Sequence, residues 1–283
     1  MVRRFAMLVV ATGLTACSLP SLDVYTRETG SPIIADAAAP ADAMTPGVEA
    51  AADAAPRVSA YRAAVLADEP TAYYRFGEPS DASVVTSETG IAVVGAIHGQ
   101  ATLGVPGALA GDDDHALLLD GASASVSFGN YFAYAGGASY TIEVWFRADV
   151  NDENYRRIWN RDATNATGRQ GYTLYVRSDL GVGAERYIDN QLYYTHYPTV
   201  VVGKWTHAVV TYDQTVMRLY VDGALVDSTA SPPTMPATDS PFVVGSAPFA
   251  NGFFRGAVDE LALYDQPLTD ARIAEHHRIG AGL

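Results

Sequence analysis

The stretch that decides the fold is Tyr140-Thr-Ile-Glu-Val-Trp-Phe-Arg147. One set of its alternate positions is apolar: Tyr140, Ile142, Val144 and Phe146. Most of the other set is polar: Thr141, Glu143 and Arg147, with Trp145 as the exception. Successive side chains of a β-strand point to opposite faces, so this alternation predicts a half-buried strand.

Similar short runs occur along much of the chain. They cover residues 71–76, 116–119, 124–128, 157–160, 172–176, 205–212, 218–221, 225–228, 242–245 and 258–264. Asp222-Gly223 separates two of these runs and is a strong signal for a tight hairpin. So many short strands with turn signals between them predict an all-β sandwich or barrel.

Two segments predict short helices. Ser59 is a suitable N-cap for a helix that continues to Ala67. Thr269 is a suitable N-cap for a second helix that continues to Arg278, with Gly280 as its stop signal.

The N-terminus has the features of an export signal. Arg3 and Arg4 precede an apolar run from Phe5 to Leu14, which at about ten residues is half the length of a membrane-spanning helix. The residues Leu14-Thr-Ala-Cys17 resemble the lipobox of bacterial lipoproteins. This resemblance implies that residues 1–16 are a signal peptide and that acyl chains on Cys17 anchor the mature protein to membrane lipid. Ser18, a residue other than aspartate, favours the outer membrane as the destination.

Residues 17–57 predict a flexible, lipid-anchored tether. From Ala35 to Ala60 the sequence is mostly alanine with interspersed prolines and acidic residues, and it contains no aromatic side chain. Such a stretch buries too little apolar surface to offset the entropy lost on ordering. The folded domain is therefore expected over residues 58–283.

Composition excludes several classes of function. The chain has 18 basic and 32 acidic residues and a net charge of −14, whereas nucleic-acid binding needs a basic surface. Cys17 is the single cysteine, so the chain forms no internal disulfide and no cysteine-based zinc cluster.

Five segments in a fixed order resemble the laminin-G-like, or concanavalin A-like, superfamily of bacterial surface proteins. They are Tyr61 to Glu78, Gly104 to Leu109 with Asp120-Gly121, Tyr140 to Phe146, Gly203 to Gly223, and Phe254 to Ile273. The resemblance implies a jelly roll of two antiparallel sheets packed face to face, one of them concave, with a short C-terminal helix. This fold hosts lectins, protein-binding modules, enzymes and spacers, so it leaves the function open.

The motifs of catalysis are missing from the sequence. Glycosidases of the superfamily carry Glu-x-Asp-x-x-Glu on one strand, but the neighbours of Glu143 at alternate positions are Trp145 and Arg147. No Gly-x-Ser-x-Gly elbow occurs, and the strand motifs of jelly-roll lyases are absent. We therefore expect a non-catalytic protein without an organic cofactor, although the sequence leaves a Ser/His/Asp arrangement open.

The resemblance also implies a structural Ca²⁺ ion. The family places one acid near the end of the first strand and another in the last strand, which here are Glu78 and Asp259. The family's Asp-Ser-Ser-Gly becomes Ser87-Glu-Thr-Gly90, so Glu88 is the candidate replacement ligand. The run Asp112 to Asp114 is more simply interpreted as a solvated loop.

An aromatic stretch from Tyr187 to Tyr197 suits a glycan, because flat rings stack on sugars while carboxylates and amides bind hydroxyls. The predicted ligand-binding residues are Trp159, Arg161, Asp162, Tyr172, Tyr187, Asp189, Asn190, Tyr193, Tyr194 and Tyr197. The alternative is that the tyrosines are simply good strand formers.

The leading hypothesis is a cell-envelope lipoprotein that displays a binding domain for carbohydrate or for a surface protein. The first alternative is a structural or adhesive module without a small-ligand site. The second alternative is an enzyme that acts on polysaccharide.

Overall fold

The computed structural model describes residues 59–166, 168–179, 181–247 and 252–283. The predicted signal peptide, Cys17 and the tether lie outside the described residues. Within the described ranges, no helix combines the length and the apolar character needed to cross a membrane.

Eight strands form the first sheet, sheet A. They are β1 (Ala72–Tyr74), β4 (Thr102–Pro106), β5 (His115–Asp120), β7 (Tyr140–Ala148), β12 (Trp205–Tyr212), β13 (Val216–Val221), β14 (Ala224–Ala230) and β16 (Arg255–Tyr264). Their order is β14-β13-β12-β7-β16-β5-β4, with β1 also paired to β16. Asp222 and Gly223 form the β13–β14 turn with positive φ angles of 49° and 78°, which confirms the predicted hairpin.

Eight further strands form sheet B. They are β2 (Val84–Val85), β3 (Gly95–His98), β6 (Ser125–Ser127), β8 (Arg156–Asn165), β9 (Gly168–Arg177), β10 (Gly181–Ile188), β11 (Gln191–Tyr197) and β15 (Val243–Val244). Their order is β11-β10-β9-β8-β15-β6-β3-β2. The neighbouring strands of both sheets pair antiparallel, so the predicted two-sheet sandwich is confirmed.

Both predicted helices are present. Helix α1 (Ala60–Ala67) begins after Ser59, whose side chain accepts a hydrogen bond from the backbone N–H of Arg62. Helix α2 (Asp270–Gly280) begins after Thr269, which caps it in the same way through Arg272. Gly280 is the last residue of α2 rather than a stop beyond it. A Cβ at this position would lie 2.6 Å from the ring of Trp145, so the close packing of α2 on sheet A requires glycine.

The larger core lies between the two sheets. The apolar positions of β7 point into it, as predicted, and sheet B contributes Trp159, Tyr172 and Leu174. Three tyrosine rings stack through this core: Tyr134 on Tyr140 with centroids 4.9 Å apart, and Tyr140 on Tyr172 at 5.3 Å.

A second core covers the outer face of sheet A. Tyr61 and Val65 of α1 and Ile273 of α2 pack there with Trp145 and Tyr264. The prediction that β7 is only half buried is therefore wrong: its burial is nearly complete on both faces. The cause is long-range, because the two helices that cover Glu143 and Trp145 come from the two ends of the domain.

Glu143 is the centre of the contact between the helices and sheet A. Its carboxylate accepts hydrogen bonds from Tyr61 of α1 (2.7 Å) and contacts Nε2 of His207 (2.8 Å) and Nδ1 of His276 in α2 (3.0 Å). His276 Nε2 lies 3.1 Å from the carboxylate of Asp68, which follows α1. Tyr264 of β16 also donates to Glu143, at 3.3 Å. All four partners of Glu143 are buried, so this network fixes both helices to the sheet.

Charge pairing sets the ionisation of this network. Burial alone would raise the pKa of Glu143, but His276 and His207 outweigh it and hold the pKa well below its usual range. Burial alone would lower the pKa of His276, but Glu143 and Asp68 raise it. The stability from Glu143 is complete above pH 4.5 and is lost as the pH falls through its lowered pKa. The stability from His276 is complete below pH 6.5 and is lost as the pH rises through its raised pKa.

We expect Glu143→Gln to lower the free energy of unfolding by about 3–5 kcal/mol at pH 6, because it removes the buried charge that pairs with His276 and leaves Asp68 as its only anionic partner among the described residues. Urea unfolding followed by tryptophan fluorescence measures this change. Glu275→Gln, on the exposed side of α2, is the matched control and should change the midpoint little. Equal midpoints for Glu143→Gln and the wild type would contradict the role of Glu143.

Candidate functional site

Sheet B presents a polar outer face, on the side opposite the core. The register aligns Asn160, Thr173, Glu185 and Tyr194 in one row across β8 to β11. The adjacent rows contain Arg157, Tyr175 and His196 on one side and Asp162, Tyr187 and Leu192 on the other. The intervening positions, including Leu174 and Ala184, lie in the core, so these three rows point outward. Both described helices pack on sheet A, which leaves this face of sheet B without a helix.

Three buried side chains at the middle of the outer face each have a polar atom without a hydrogen-bond partner among the described residues. Arg157 Nη1 and Glu185 Oε2 are 3.5 Å apart, an ion pair slightly too long for a good hydrogen bond. Neither atom, nor Nδ2 of Asn160, has a hydrogen-bond partner among the described residues. These residues are 8%, 3% and 0% exposed, so their unpartnered polar atoms are largely shielded from solvent. Burial raises the pKa of Glu185, and Arg157 and Arg169 only partly oppose this.

Tyrosine and arginine side chains surround this polar centre. The Arg157 guanidinium lies over the rings of Tyr155 (4.8 Å) and Tyr175 (5.5 Å), and Arg177 lies over the Tyr155 ring at 4.6 Å. On the other side, Arg169 stacks over the Tyr187 ring at 3.7 Å. Rigid stacks of this kind hold flat rings at defined positions on the face.

The β10–β11 turn borders the same face. Asp189 and Asn190 take positive φ angles of 48° and 68°, which aspartate and asparagine tolerate better than most residues. The Asp189 carboxylate accepts a hydrogen bond from Gln170 at 2.8 Å, and Asn190 accepts one from the backbone N–H of Arg169 at 2.8 Å. Arg169 also forms an ion pair with Asp162. The turn is therefore tied to β9 beside Tyr187.

The structure divides the ten predicted ligand-binding residues between two sides of sheet B. Asp162, Tyr187 and Tyr194 lie on the outer face, and Asp189 and Asn190 lie in the turn at its edge. The other five are on the inner side: Trp159, Arg161, Tyr172, Tyr193 and Tyr197. Trp159, Arg161 and Tyr172 are each 1% exposed, so in this structure they contact protein groups only.

The predicted ligand-binding set lacks the residues at the centre of the outer face, namely Tyr155, Arg157, Asn160, Arg169, Tyr175 and Glu185. Residues 157–160 are predicted as a short strand, but the alternation of β8 breaks at a register shift between Arg157 and Trp159. That bulge turns both Ile158 and Trp159 inward. The sequence alone does not show the strand pairing that aligns Glu185 with Thr173 and Asn160.

A second group of polar residues suits a cation. Ligand oxygens of Asp114, Asp259 and Glu260 all lie within 4.8 Å of one another. Asp259 Oδ1 is buried and lacks a hydrogen-bond partner among the described residues, and Asp114 Oδ2 is buried beside Arg75 Nε. Burial and the neighbouring Glu260 raise the pKa of Asp259. Arg75, which pairs with Asp114 at 2.9 Å and Glu260 at 2.9 Å, offsets part of the negative charge. This donor set fits a hard cation such as Ca²⁺, with Asp114 and Asp259 as the available ligands.

The predicted metal ligands are placed around this group. Asp259 belongs to it, whereas Glu78 and Glu88 line an adjoining cavity of about 220 Å³ together with Asp114. Glu78 Oε1 accepts hydrogen bonds from the N–H and hydroxyl of Thr86, and Glu88 pairs with Arg62 at 2.6 Å. Asp114, which the sequence analysis assigned to a solvated acidic loop, belongs both to the group with Asp259 and Glu260 and to the lining of the cavity with Glu78 and Glu88.

Two antiparallel sheets packed face to face place this domain in the class of jelly-roll sandwiches. The chain belongs to the Laminin_G_3 family of the concanavalin A-like lectin/glucanases superfamily, whose model matches residues 120–274. No curated protein sequence matches the chain significantly.

Several solved structures share this fold. Domain 4 of AbnA, a GH43 extracellular arabinanase from Geobacillus stearothermophilus solved with arabinotriose, has a TM-score of 0.55 and 19% identity, over 74% of this chain and 98% of that domain. The binding domain of Paraclostridial Mosquitocidal Protein 1 has a TM-score of 0.58 and 14% identity, over 75% of this chain. The ligand binding domain of botulinum neurotoxin serotype D, solved with N-acetylneuraminic acid, has a TM-score of 0.57 and 16% identity, over 76% of this chain. The chain spans about half of each toxin domain, 52% in both cases.

We expect Ca²⁺ to stabilise the protein, because it would neutralise Asp114 and Asp259. A free concentration one hundred times the dissociation constant should add about 2.7 kcal/mol, seen as a higher melting temperature than in EDTA. Asp259→Asn should abolish this increase, whereas Asp81→Asn, at an exposed position outside the group, should retain it. A wild-type melting temperature equal in Ca²⁺ and EDTA would argue against the cation site.

Proposed function

We propose that this protein is a non-catalytic binding module that recognises glycans through the outer face of sheet B. The observation that carries the proposal is the set of buried, unpartnered atoms on Arg157, Asn160 and Glu185. A buried polar group without a partner costs about 1–3 kcal/mol, so these positions favour a ligand or ordered water that can pair with them.

A sugar hydroxyl matches this arrangement chemically. It donates one hydrogen bond and accepts others, so a single hydroxyl can accept from Arg157 and donate to Glu185 across their 3.5 Å separation. The rings of Tyr187 and Tyr194 supply flat apolar surface next to these groups, as sugar stacking requires. Tyr194 is 53% exposed and so offers much of its ring to a ligand.

The comparisons support binding rather than catalysis. Three structures of the same fold are described as binding domains or were solved with a bound carbohydrate. On the outer face itself, Asp162 and Glu185 each pair with a guanidinium. These pairs favour fixed recognition of a ligand over the free acid and base that glycoside hydrolysis needs.

The proposal includes a location for the domain and a structural ion. We propose that the chain is exported and anchored to the outer membrane by acyl chains on Cys17, with residues 17–57 as a tether. The resemblance of Leu14-Thr-Ala-Cys17 to a lipobox supports this. We also propose that Ca²⁺ is bound by Asp114 and Asp259, next to the predicted Glu78 and Glu88.

We expect Cys17→Ser to release the protein from the membrane fraction into the soluble fraction, because it removes the acylation site. Labelling of living cells with an alkyne palmitate analogue should mark the wild type and leave the variant unmarked. Persistence of the variant in the membrane fraction, or the absence of label on the wild type, would refute the anchor.

We expect the purified protein to bind selected members of a glycan array. Arg157→Gln and Tyr187→Ala should each weaken the best interaction by about 10- to 100-fold, since each removes about 1.5–3 kcal/mol of contact. Arg218→Gln is the matched control, because it removes an arginine–aspartate pair from sheet A instead. Array runs with Ca²⁺ and with EDTA show whether the cation contributes.

The outcomes separate the alternatives. The absence of binding to any glycan would overturn the proposal and favour a protein partner or a structural role. Binding that both face variants leave unchanged would place the glycan elsewhere on the domain. Turnover of a polysaccharide that is lost in Glu185→Gln would instead establish an enzyme.

A further inference from the structure

A separate pocket lies at the end of the sandwich where β6 leads into β7. Its volume is about 580 Å³, within the range of small-molecule sites. The loop between β6 and β7 forms much of its wall through Tyr131, Phe132 and Tyr134, and the opposite side includes Gln214 and Asp265. We call this site the Tyr131 pocket. Its lining includes no residue of the outer face of sheet B.

Polar side chains that cross the core hold the wall of the Tyr131 pocket in place. Arg161 donates to Asn130 Oδ1 at 2.6 Å, and Tyr172 donates to the carbonyl of Phe132. Arg186 donates to the carbonyls of Gly136 (3.3 Å) and Pro232 (2.6 Å). These three side chains are 1% exposed or less, so the loop is anchored to the interior of sheet B and the pocket is preformed.

The backbone of the Tyr131 pocket is strained at two non-glycine residues. Phe132 has a φ angle of 58°, and Gln214 has a φ angle of 80°. The left-handed region is unfavourable for such side chains, and strained backbone of this kind clusters at functional sites.

The Tyr134 side chain also borders this pocket. Tyr134 is 8% exposed, lines the pocket, and its hydroxyl has no hydrogen-bond partner among the described residues. Asp265 lines the same pocket, and burial, followed by the charge of Asp265, raises the pKa of Tyr134. Tyr131 is 55% exposed, so its ring is available for stacking.

We propose that the Tyr131 pocket is a second ligand site, which binds one uncharged terminal sugar ring. The Tyr131 and Phe132 rings contact the apolar face of the sugar, while Tyr134 and Asp265 bind its hydroxyls. The described lining contains no arginine or lysine, and Asp265 repels anions, so the pocket selects neutral sugars against sialic or uronic acids. The arginine-rich outer face of sheet B has no such bias.

Titration of the full chain with methyl glycosides tests this proposal. The probes are the methyl glycosides of neutral hexoses and N-acetylhexosamines, with methyl glucuronide as the anionic comparison, followed by saturation-transfer NMR. The wild type should bind at least one neutral glycoside saturably and bind the glucuronide roughly tenfold more weakly or not at all.

The variants locate the interaction. Tyr131→Ala should weaken it roughly tenfold, and Tyr134→Phe, which keeps the ring stack and removes only the hydroxyl, should weaken it several-fold. Val202→Ala is the control, because Val202 is 51% exposed, close to the 55% of Tyr131, and lines neither the Tyr131 pocket nor the outer face of sheet B. It should leave the affinity for the neutral glycoside unchanged.

Three results would overturn the proposal: no saturable binding of any neutral glycoside, binding that Tyr131→Ala and Tyr134→Phe leave unchanged, or binding of methyl glucuronide as tight as that of the neutral glycosides. Failure here is distinguishable from failure of the glycan site on sheet B. Array binding that is lost in Arg157→Gln but kept in Tyr131→Ala would retain the sheet B site and remove only this one.

Discussion

The buried carboxylate of Glu143 determines which surfaces of this domain are available. The carboxylate forms hydrogen-bond contacts with Tyr61 of α1, His276 of α2 and His207 of the neighbouring strand. These contacts hold the two helices over the outer face of sheet A. A buried charge is tolerated only where such partners surround it, so the helices and Glu143 depend on one another. Among the described residues no helix covers sheet B, and Arg157, Asn160 and Glu185 on its outer face have polar atoms without a hydrogen-bond partner in that part of the chain.

The inner side of sheet B uses polar side chains for a different purpose. Arg161 and Arg186 are almost fully buried and bind mainly backbone carbonyls of loops at one end of the sandwich. The Arg186 guanidinium also lies over the Tyr212 ring at 4.1 Å. Arginine suits this role because its planar group reaches several acceptors at once. The interior of one sheet thus fixes the loop that forms the Tyr131 pocket, while its exterior presents the other candidate site.

Local signals were sufficient to predict most of the fold. The alternation in Tyr140–Arg147, the Asp222-Gly223 turn, and the caps Ser59 and Thr269 depend on residues close together in sequence, and all correspond to the observed elements. The ordered motifs then limited the arrangement of strands to a jelly roll. The full burial of Glu143 was not predictable in this way, because its cover comes from α1 and α2, far away along the chain.

The candidate sites were predicted less well because they depend on which way a strand faces. Strands β8 to β10 carry arginine and tyrosine on both sides, so composition gave no indication that Trp159 and Tyr172 point inward while Asp162 and Tyr187 point outward. The bulge after Arg157 changes the alternation further. Asp114 reaches Asp259 only through sheet pairing, and an acidic loop in sequence gives no sign of that contact.

We propose sheet B, and not the helix-covered sheet A, as the ligand face. Amide chemical-shift mapping of the protein with the tightest-binding oligosaccharide tests this assignment. We expect saturable shifts concentrated on Arg157, Asn160, Glu185 and Tyr187, with α1 and α2 unaffected. Shifts concentrated on the two helices around Glu143 would contradict it.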